Sequence, residues 1–448
     1  MSASKVYYFG PRCPPSYVDK GKRLFELAGL NECFDKGDIV AIKIHCGEWN
    51  NTGYLRPNIV TGIVETIKEY GGDPFVTDTT TLQYNPLGAR TSAQDEYRCA
   101  ARNGFTEATL GCPFIVADGD YGVDDVKVEV DGNILKSTYI ASAIASADAM
   151  IVLSHFKGHV SGVYGGAIKN VGIGCCSKRG KSVTHLMTHP KYGVKKYFFY
   201  PEKCLGKDCP RYDVCFDTCP VDAFQIVDET PYARWNKDAC VGCGGCWYRV
   251  GCGVVDYSPG REIYTPAAFA DSVKATMSLL GAEHVGFINY AIDISPACDC
   301  ASFSDTWMLP NLGVFASKDI VAIDKACLDA SINVPTIPGS KAFDEGIPED
   351  ATKAGHEHFT YISTFPRYEK VSQWIQINTA VNLGLGSVEY ELIEATPGPP
   401  RKYLLLELRD HAAGYRLRKK FATESPKPAL GCYQEKVKMS VEELTKVP

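Results

Sequence analysis

The chain lacks an excess of basic residues. Its 448 residues carry 47 Lys and Arg against 53 Asp and Glu, a formal net charge of −6. That balance offers no cationic footprint for a nucleic acid. It also lacks a run of eighteen uncharged apolar residues. The nearest approach, "YIASAIASADAMIVLSHF", is interrupted by Asp148 and reads as a helix leading into a buried strand. The opening "MSASKVYYFGPRCPP" has no charged start followed by an apolar stretch, so no export signal is expected. No G-x-G-x-x-G follows a first strand, so a flavin or nicotinamide has no fingerprint. These absences predict a cytoplasmic protein with no nucleic acid and no membrane span. Peripheral attachment to a larger complex is the alternative, and the oligomeric state stays open. A hydrophobic share of 45% is ample for a core, and the length suggests two to three domains.

What the chain has in quantity is cysteine, nineteen in all. A long chain without an export tag has little use for so many disulfides, so thiols at metal spacing are read as ligands. Eight of them fall within forty-nine positions, in "KCLGKDCPRYDVCFDTCPVDAF" and "KDACVGCGGCWYRVGCGVV". Cys240-x2-Cys243-x2-Cys246 supplies three corners of a cubane cluster on one turn. Cys219-Pro220 ends the first run as a fourth-ligand signature. In two-cluster ferredoxins the fourth cysteine of each run ligates the other run's cluster. The expected sets are therefore Cys204, Cys209, Cys215 and Cys252 for one [4Fe-4S] cluster, and Cys240, Cys243, Cys246 and Cys219 for the other. A pair of zinc knuckles is the competing reading.

The flanks share one rhythm. "DIVAIKIHC", "DPFVTD", "CPFIVAD", "DAMIVLSHF" and "HVGFINYAIDI" read as strands. "PNIVTGIVETIKEYGG", "SAQDEYRCAARNGF", "YIASAIASA" and "PAAFADSVKATMSLLG" read as helices, and "DIVAIDKACLDASI" as a strand tip running into a helix. "VKVEVDGNILKSTYI" reads as a hairpin turning at Asp131-Gly132. Alternation of this kind predicts an α/β fold with a mostly parallel sheet covered on both faces. The domain reading is an α/β first part at 1–197, a ferredoxin-like insert at 198–256, an α/β second part at 257–395, and a tail at 396–448.

Ligands of such sheets bind beyond the carboxyl ends of the strands. Three stretches follow strands there. "KIHCGEWNNTGYLRPN" holds Lys43, His45, Cys46, Glu48 and Arg56. "SHFKGHVSGVYGGAIKNVGIGCCSKRGK" holds His155, Lys157, His159, Lys169, Asn170, Cys175 and Cys176. "SPACDCASFSD" holds Cys298, Asp299, Cys300 and Asp305. All three are expected on one rim. Lys157, Lys169, Lys178, Arg179 and Lys181 among glycines suggest an anion pocket, which the amides of "GGAIKN" at a helix start would reinforce. Cys175, Cys298 and Cys300 are the expected ligands of a third metal, with His45, His155 or His159 as a fourth. The competing reading is three ordinary buried thiols. Cys13, Cys33, Cys99, Cys112, Cys327 and Cys432 read as structural.

The phrases "GYLRP", "SHFKGH", "GGAIKNVGIGC", "INY…CDC…SD", "NLGVFASKDIVAIDKA" and "LGLGSVEYELI" resemble the family catalogued as domain of unknown function number 362, in its iron–sulfur branch. The resemblance implies a redox-linked, cluster-bearing protein and leaves the reaction open. Cys46 stands where relatives usually have Phe, and Cys176 where a small residue is usual. The reading is an iron–sulfur oxidoreductase, with Lys157 and Lys169 holding an anion and His155 or His159 moving protons. A ferredoxin-type electron-transfer subunit with a redox partner protein is one alternative. A factor that activates or matures a metalloenzyme is the other.

Overall fold

The computed structural model describes residues 3–13, 15–82, 88–185, 197–219, 221–226, 233–236, 238–240, 252–257, 261–363 and 370–396. The described residues up to Thr396 belong to one compact unit. Cys243, Cys246 and Cys432 lie outside the described residues.

Eight strands form the main sheet. They are β1 (Ser4–Phe9), β2 (Ile39–Lys43), β3 (Asp73–Asp78), β4 (Phe114–Val116), β5 (Ala149–His155), β6 (Val285–Ala291), β7 (Gly313–Ser317) and β8 (Tyr390–Glu394). Their order is β8-β1-β7-β6-β5-β2-β3-β4. The pairs β6–β5, β5–β2, β2–β3, β3–β4 and β1–β8 are parallel. Strand β7 runs against both its neighbours, β1 and β6. Seven strands therefore share one direction, as the alternating pattern predicts.

Strand β5 explains why the sheet is covered on both faces. Met150 and Val152 enter one core with Phe287 and Phe315, while Ile151 and Leu153 enter another with Ile42 and Ile288. A strand buried at every position has no face left for water. The helices Tyr17–Leu27, Pro57–Glu69 and Ala93–Arg102 contribute to the second core. Helices Ala167–Gly172, Arg261–Leu280 and Ile320–Ile332 contribute to the first. Pro57 sits at the first turn of its helix, where its missing N–H costs nothing. Gly71, at φ +91°, lets the chain leave that helix in a conformation L residues avoid.

Two expectations shift. "IVAI" is helix and not a strand tip, because the Asp319 side chain caps it, accepting from the amides of Val321 and Ala322 at 2.8 and 2.9 Å, and starts the helix before the β-branched run. "YIASAIASA" divides: Ser137–Ala141 is a strand paired with Asp125–Glu129, and only Ser142–Ala145 is helical.

The chain visits β2, β3 and β4 outward in one direction, then returns to β5 beside β2 and continues to β6 in the other. The carboxyl ends of β2 and β5 thus flank the point where the strand order reverses, which is where α/β sheets open a crevice.

Candidate functional site

The three rim stretches meet at that crevice. The loop after β2 is joined to the loop after β6 by Glu48 N to Asp299 O (2.8 Å) and by Asn51 Nδ2 to the carbonyls of Ala301 and Phe303 (3.1 and 3.0 Å). The loop after β5 joins both. Gly158 N donates to Ser295 O at 2.9 Å, and a Cβ on Gly158 would lie 2.4 Å from the Pro296 carbonyl oxygen. Only glycine allows that approach.

Asp299 is the electrostatic anchor. His155 Nδ1 is 3.0 Å from both its oxygens, and Lys157 Nζ is 2.7 Å from one of them. Burial alone would raise the Asp299 carboxyl. The charges of His155 and Lys157 overcome this and hold it below the usual carboxylate range. Burial disfavours the charged form of Lys157, yet its pKa is raised because Asp299 lies against it. His155 Nε2 also bonds the Ile292 carbonyl at 2.8 Å. Both ring nitrogens face acceptors, which ties the His155 ring to the loop.

Cys298 Sγ sits among donors. The amide of Cys300 reaches it at 3.3 Å and Lys169 Nζ at 3.8 Å. A ring nitrogen of His159 lies within 4.8 Å of it, and both His45 and His159 act on it electrostatically. His159 Nδ1 accepts from the amides of Ser161 (3.1 Å) and Gly162 (2.8 Å), and His45 Nδ1 from that of Gly47 (3.0 Å). These backbone donors assign the neutral ring's proton to Nε2 in each case. Burial, followed by the charge of Lys169, holds His159 down at about 4. Burial, followed by Arg90, lowers His45 too. Both rings are therefore neutral N–H donors at pH 7. Burial alone would raise the Cys298 thiol. The hydrogen bond from Cys300, Lys169 and His159 bring it well below the ordinary value. Cys300, the donor in that pair, is held well above it.

Among the described residues two groups of donors are spaced closely enough to hold a metal, within 4.8 Å: His159 with Cys298 and Cys300, and Cys46 with Asp78 and Glu96. In the first, a metal would have to displace the proton on His159 Nε2. Cys175, expected as a third ligand, is not in the group. It is fully buried, its Sγ lies 3.8 Å from Met150 Sδ in the core, and burial pushes its pKa up to about 12. In the second group two buried cations already compensate the carboxylates. Lys43 Nζ is 2.9 Å from Asp78, and Arg90 Nη1 lies 3.8 Å from Asp78 and 3.7 Å from Glu96. Burial raises Glu96 to about 8, so its carboxyl is neutral at pH 7.

The expected cation cluster divides. Lys157 and Lys169 face the Cys298 loop. Lys181 instead donates to Thr79 Oγ1 and Cys176 O, both at 2.6 Å, Lys178 donates to Thr81 O, and Arg179 pairs with Asp125. The helix start at "GGAIKN" is occupied as well. Asp324 takes the amides of Ala167 and Ile168 at 2.7 and 3.0 Å, so they are not offered to an external anion.

In the cysteine-dense segment, Tyr197 pairs with Tyr257 and Phe199 with Val255 in an antiparallel ladder. Between those ends, the charges of Cys252, Cys209 and Cys204 all act on Cys215. Burial first, then those three neighbours, push its pKa up to about 11. Gly206 N donates to Cys204 Sγ at 3.4 Å and Ala223 N to Cys219 Sγ at 3.2 Å.

A family model described as "Domain of unknown function (DUF362)" matches residues 40–329. The chain belongs to that family. The match contains every rim residue named above and the cysteine-dense segment. No curated protein matches the sequence significantly. Among solved structures, the lactate racemase apoprotein from Thermoanaerobacterium thermosaccharolyticum aligns at 12% identity over 90% of this chain and 85% of that chain, with a TM-score of 0.36. A likeness that loose carries no argument about this DUF362 chain. Among the described residues no helix is long and apolar enough to cross a membrane.

The strand-end rule, applied to sequence, finds the rim loops of this DUF362 member but not every partner in them. Asp78 ends β3 and was within the rule's reach. Arg90 and Glu96 belong to a loop and a helix remote from any strand end, and no spacing signal marks them.

Proposed function

We propose that the protein is an iron–sulfur oxidoreductase. In this reading residues 198–256 are a ferredoxin-like insert between two parts of the α/β domain, 1–197 and 257–395. One [4Fe-4S] cluster is held by Cys204, Cys209, Cys215 and Cys252, the other by Cys219, Cys240, Cys243 and Cys246. The observation that carries the reading is the gathering of Cys204, Cys209 and Cys252 around Cys215. Four thiols brought this close repel one another once ionised and need a cationic core before they can all carry charge, which an iron cluster supplies. The amides donating to Cys204 and Cys219 are the outer-shell contacts that tune such ligands. When bound, the clusters supply single electrons.

The rim supplies the site of use. Lys169 and the ring of His159 lie beside Cys298, where the lysine favours negative charge. Lys157 and His155 hold the loop in place through Asp299. The substrate in this reading is a small anion, with a partner's redox group as the alternative. Anaerobically purified Cys252→Ala, reduced and examined by electron paramagnetic resonance, should show one cluster signal lost and one retained. Two intact clusters would refute the ligand assignment. Zinc without labile sulfide would refute the reading itself.

A further inference from the structure

We infer that Cys298 and Cys300 form a redox-active thiol pair that reduces small anionic disulfides at the rim. The inference deepens the redox reading above but depends on rim residues alone, so the two can fail separately. It begins with placement. The two sulfurs lie within 4.8 Å of each other, Cys298 buried and Cys300 exposed. The intervening Asp299 is fixed by Lys157 and His155, which sets the turn that brings the sulfurs together. Cys298 Sγ is held by N–H donors and a lysine, all of which stabilise a sulfur carrying negative charge. The nearest histidine offers a proton and not a lone pair, which favours thiol chemistry over metal ligation. His159 Nε2 is also 3.9 Å from Cys300 Sγ, so one ring touches both sulfurs.

The exposure difference orders the steps. Cys300, which a substrate can reach, passes its proton to Cys298 and attacks one sulfur of the disulfide R–S–S–R′ as the thiolate. That S–S bond breaks, and R′–S⁻ leaves, to be protonated from water. Cys298 then attacks Cys300 Sγ, which forms the Cys298–Cys300 disulfide and expels R–S⁻, which takes the proton Cys298 gives up. The pair loses two electrons and the substrate gains them. Lys169, which has no carboxylate partner among the described ion pairs, favours a disulfide that carries carboxylates.

The test uses the full-length, anaerobically purified protein with glutathione disulfide as probe and mass analysis of trapped thiols. The peptide containing both cysteines should lose two hydrogens and carry no adduct. Cys298→Ser should accumulate glutathione on Cys300, because the resolving sulfur is gone. Cys300→Ser should react at least about tenfold more slowly than the native pair, since the remaining sulfur is buried. An uncharged disulfide, hydroxyethyl disulfide, should also react roughly tenfold more slowly. Both thiols remaining free in excess probe, a lasting adduct on the native protein, or one retained metal ion blocking both sulfurs would each overturn the inference. Iron and sulfide are counted on the same samples. Intact clusters with inert thiols would sink this proposal alone, and ready disulfide closure without clusters would sink only the cluster reading.

Discussion

Removing the Asp299 carboxylate leaves Lys157 and His155 buried without their counter-charge. Breaking one partner out of such a group costs about 3–5 kcal/mol, far more than an exposed pair is worth. Asp299→Asn should therefore lower the unfolding free energy by about that amount at pH 7. The pH dependence follows from the direction of the shift. The folded-state pKa of Asp299 lies below its unfolded value, so its contribution is complete above the unfolded carboxylate pKa and is lost as pH falls through the folded one. Denaturant midpoints of native and variant should differ by a constant amount from pH 8 to pH 5 and converge in stronger acid. A gap that widens on acidification would contradict the assignment. At this scale the sequence showed which residues were unusual but not how they pair. Cys175 and Cys298 looked alike as thiols after glycine-rich or polar turns. One faces Met150 in the core and the other faces Lys169. Side-chain direction at the end of a short helix cannot be read from spacing.

Most of the central sheet was legible because β2, β3, β5 and β6 are apolar runs bounded by turn residues, and strands buried on both faces leave that signature. Edge elements were harder. Strand β1 buries only Val6 and Phe9, β8 buries none of its five residues, and the two pair in parallel from opposite ends of the unit. The reversed strand β7 lies inside a phrase used for family resemblance, and composition does not encode direction. The ladder between Tyr197–Phe199 and Val255–Tyr257 closes the cysteine-dense segment on itself. Replacing residues 200–254 by a two-residue Asn-Gly turn should therefore leave the flanking α/β fold intact. Hydrogen exchange would show this directly, with amides of Ile39–Lys43 and Ala149–His155 as protected as in the native chain. Loss of that protection would mean the segment is integral to the α/β core.

Across the whole molecule, charge is concentrated where the strand order reverses. Lys43, Asp78 and Arg90 lie on the β2–β3 side, and Lys157, Lys169 and Asp299 on the β5–β6 side. Buried charge of this amount costs folding free energy unless it is paired, and each group named has found a partner. The α/β fold and the location of the crevice followed from strand alternation. The pairing of sulfur with imidazole N–H did not, because it depends on which nitrogen the backbone amides occupy. The central claim is that the cysteine-dense segment carries iron–sulfur clusters, and metal and acid-labile sulfide analysis of anaerobically purified protein tests it most directly. The account predicts about eight irons and eight sulfides per chain. Stoichiometric zinc, with sulfide absent, would contradict it.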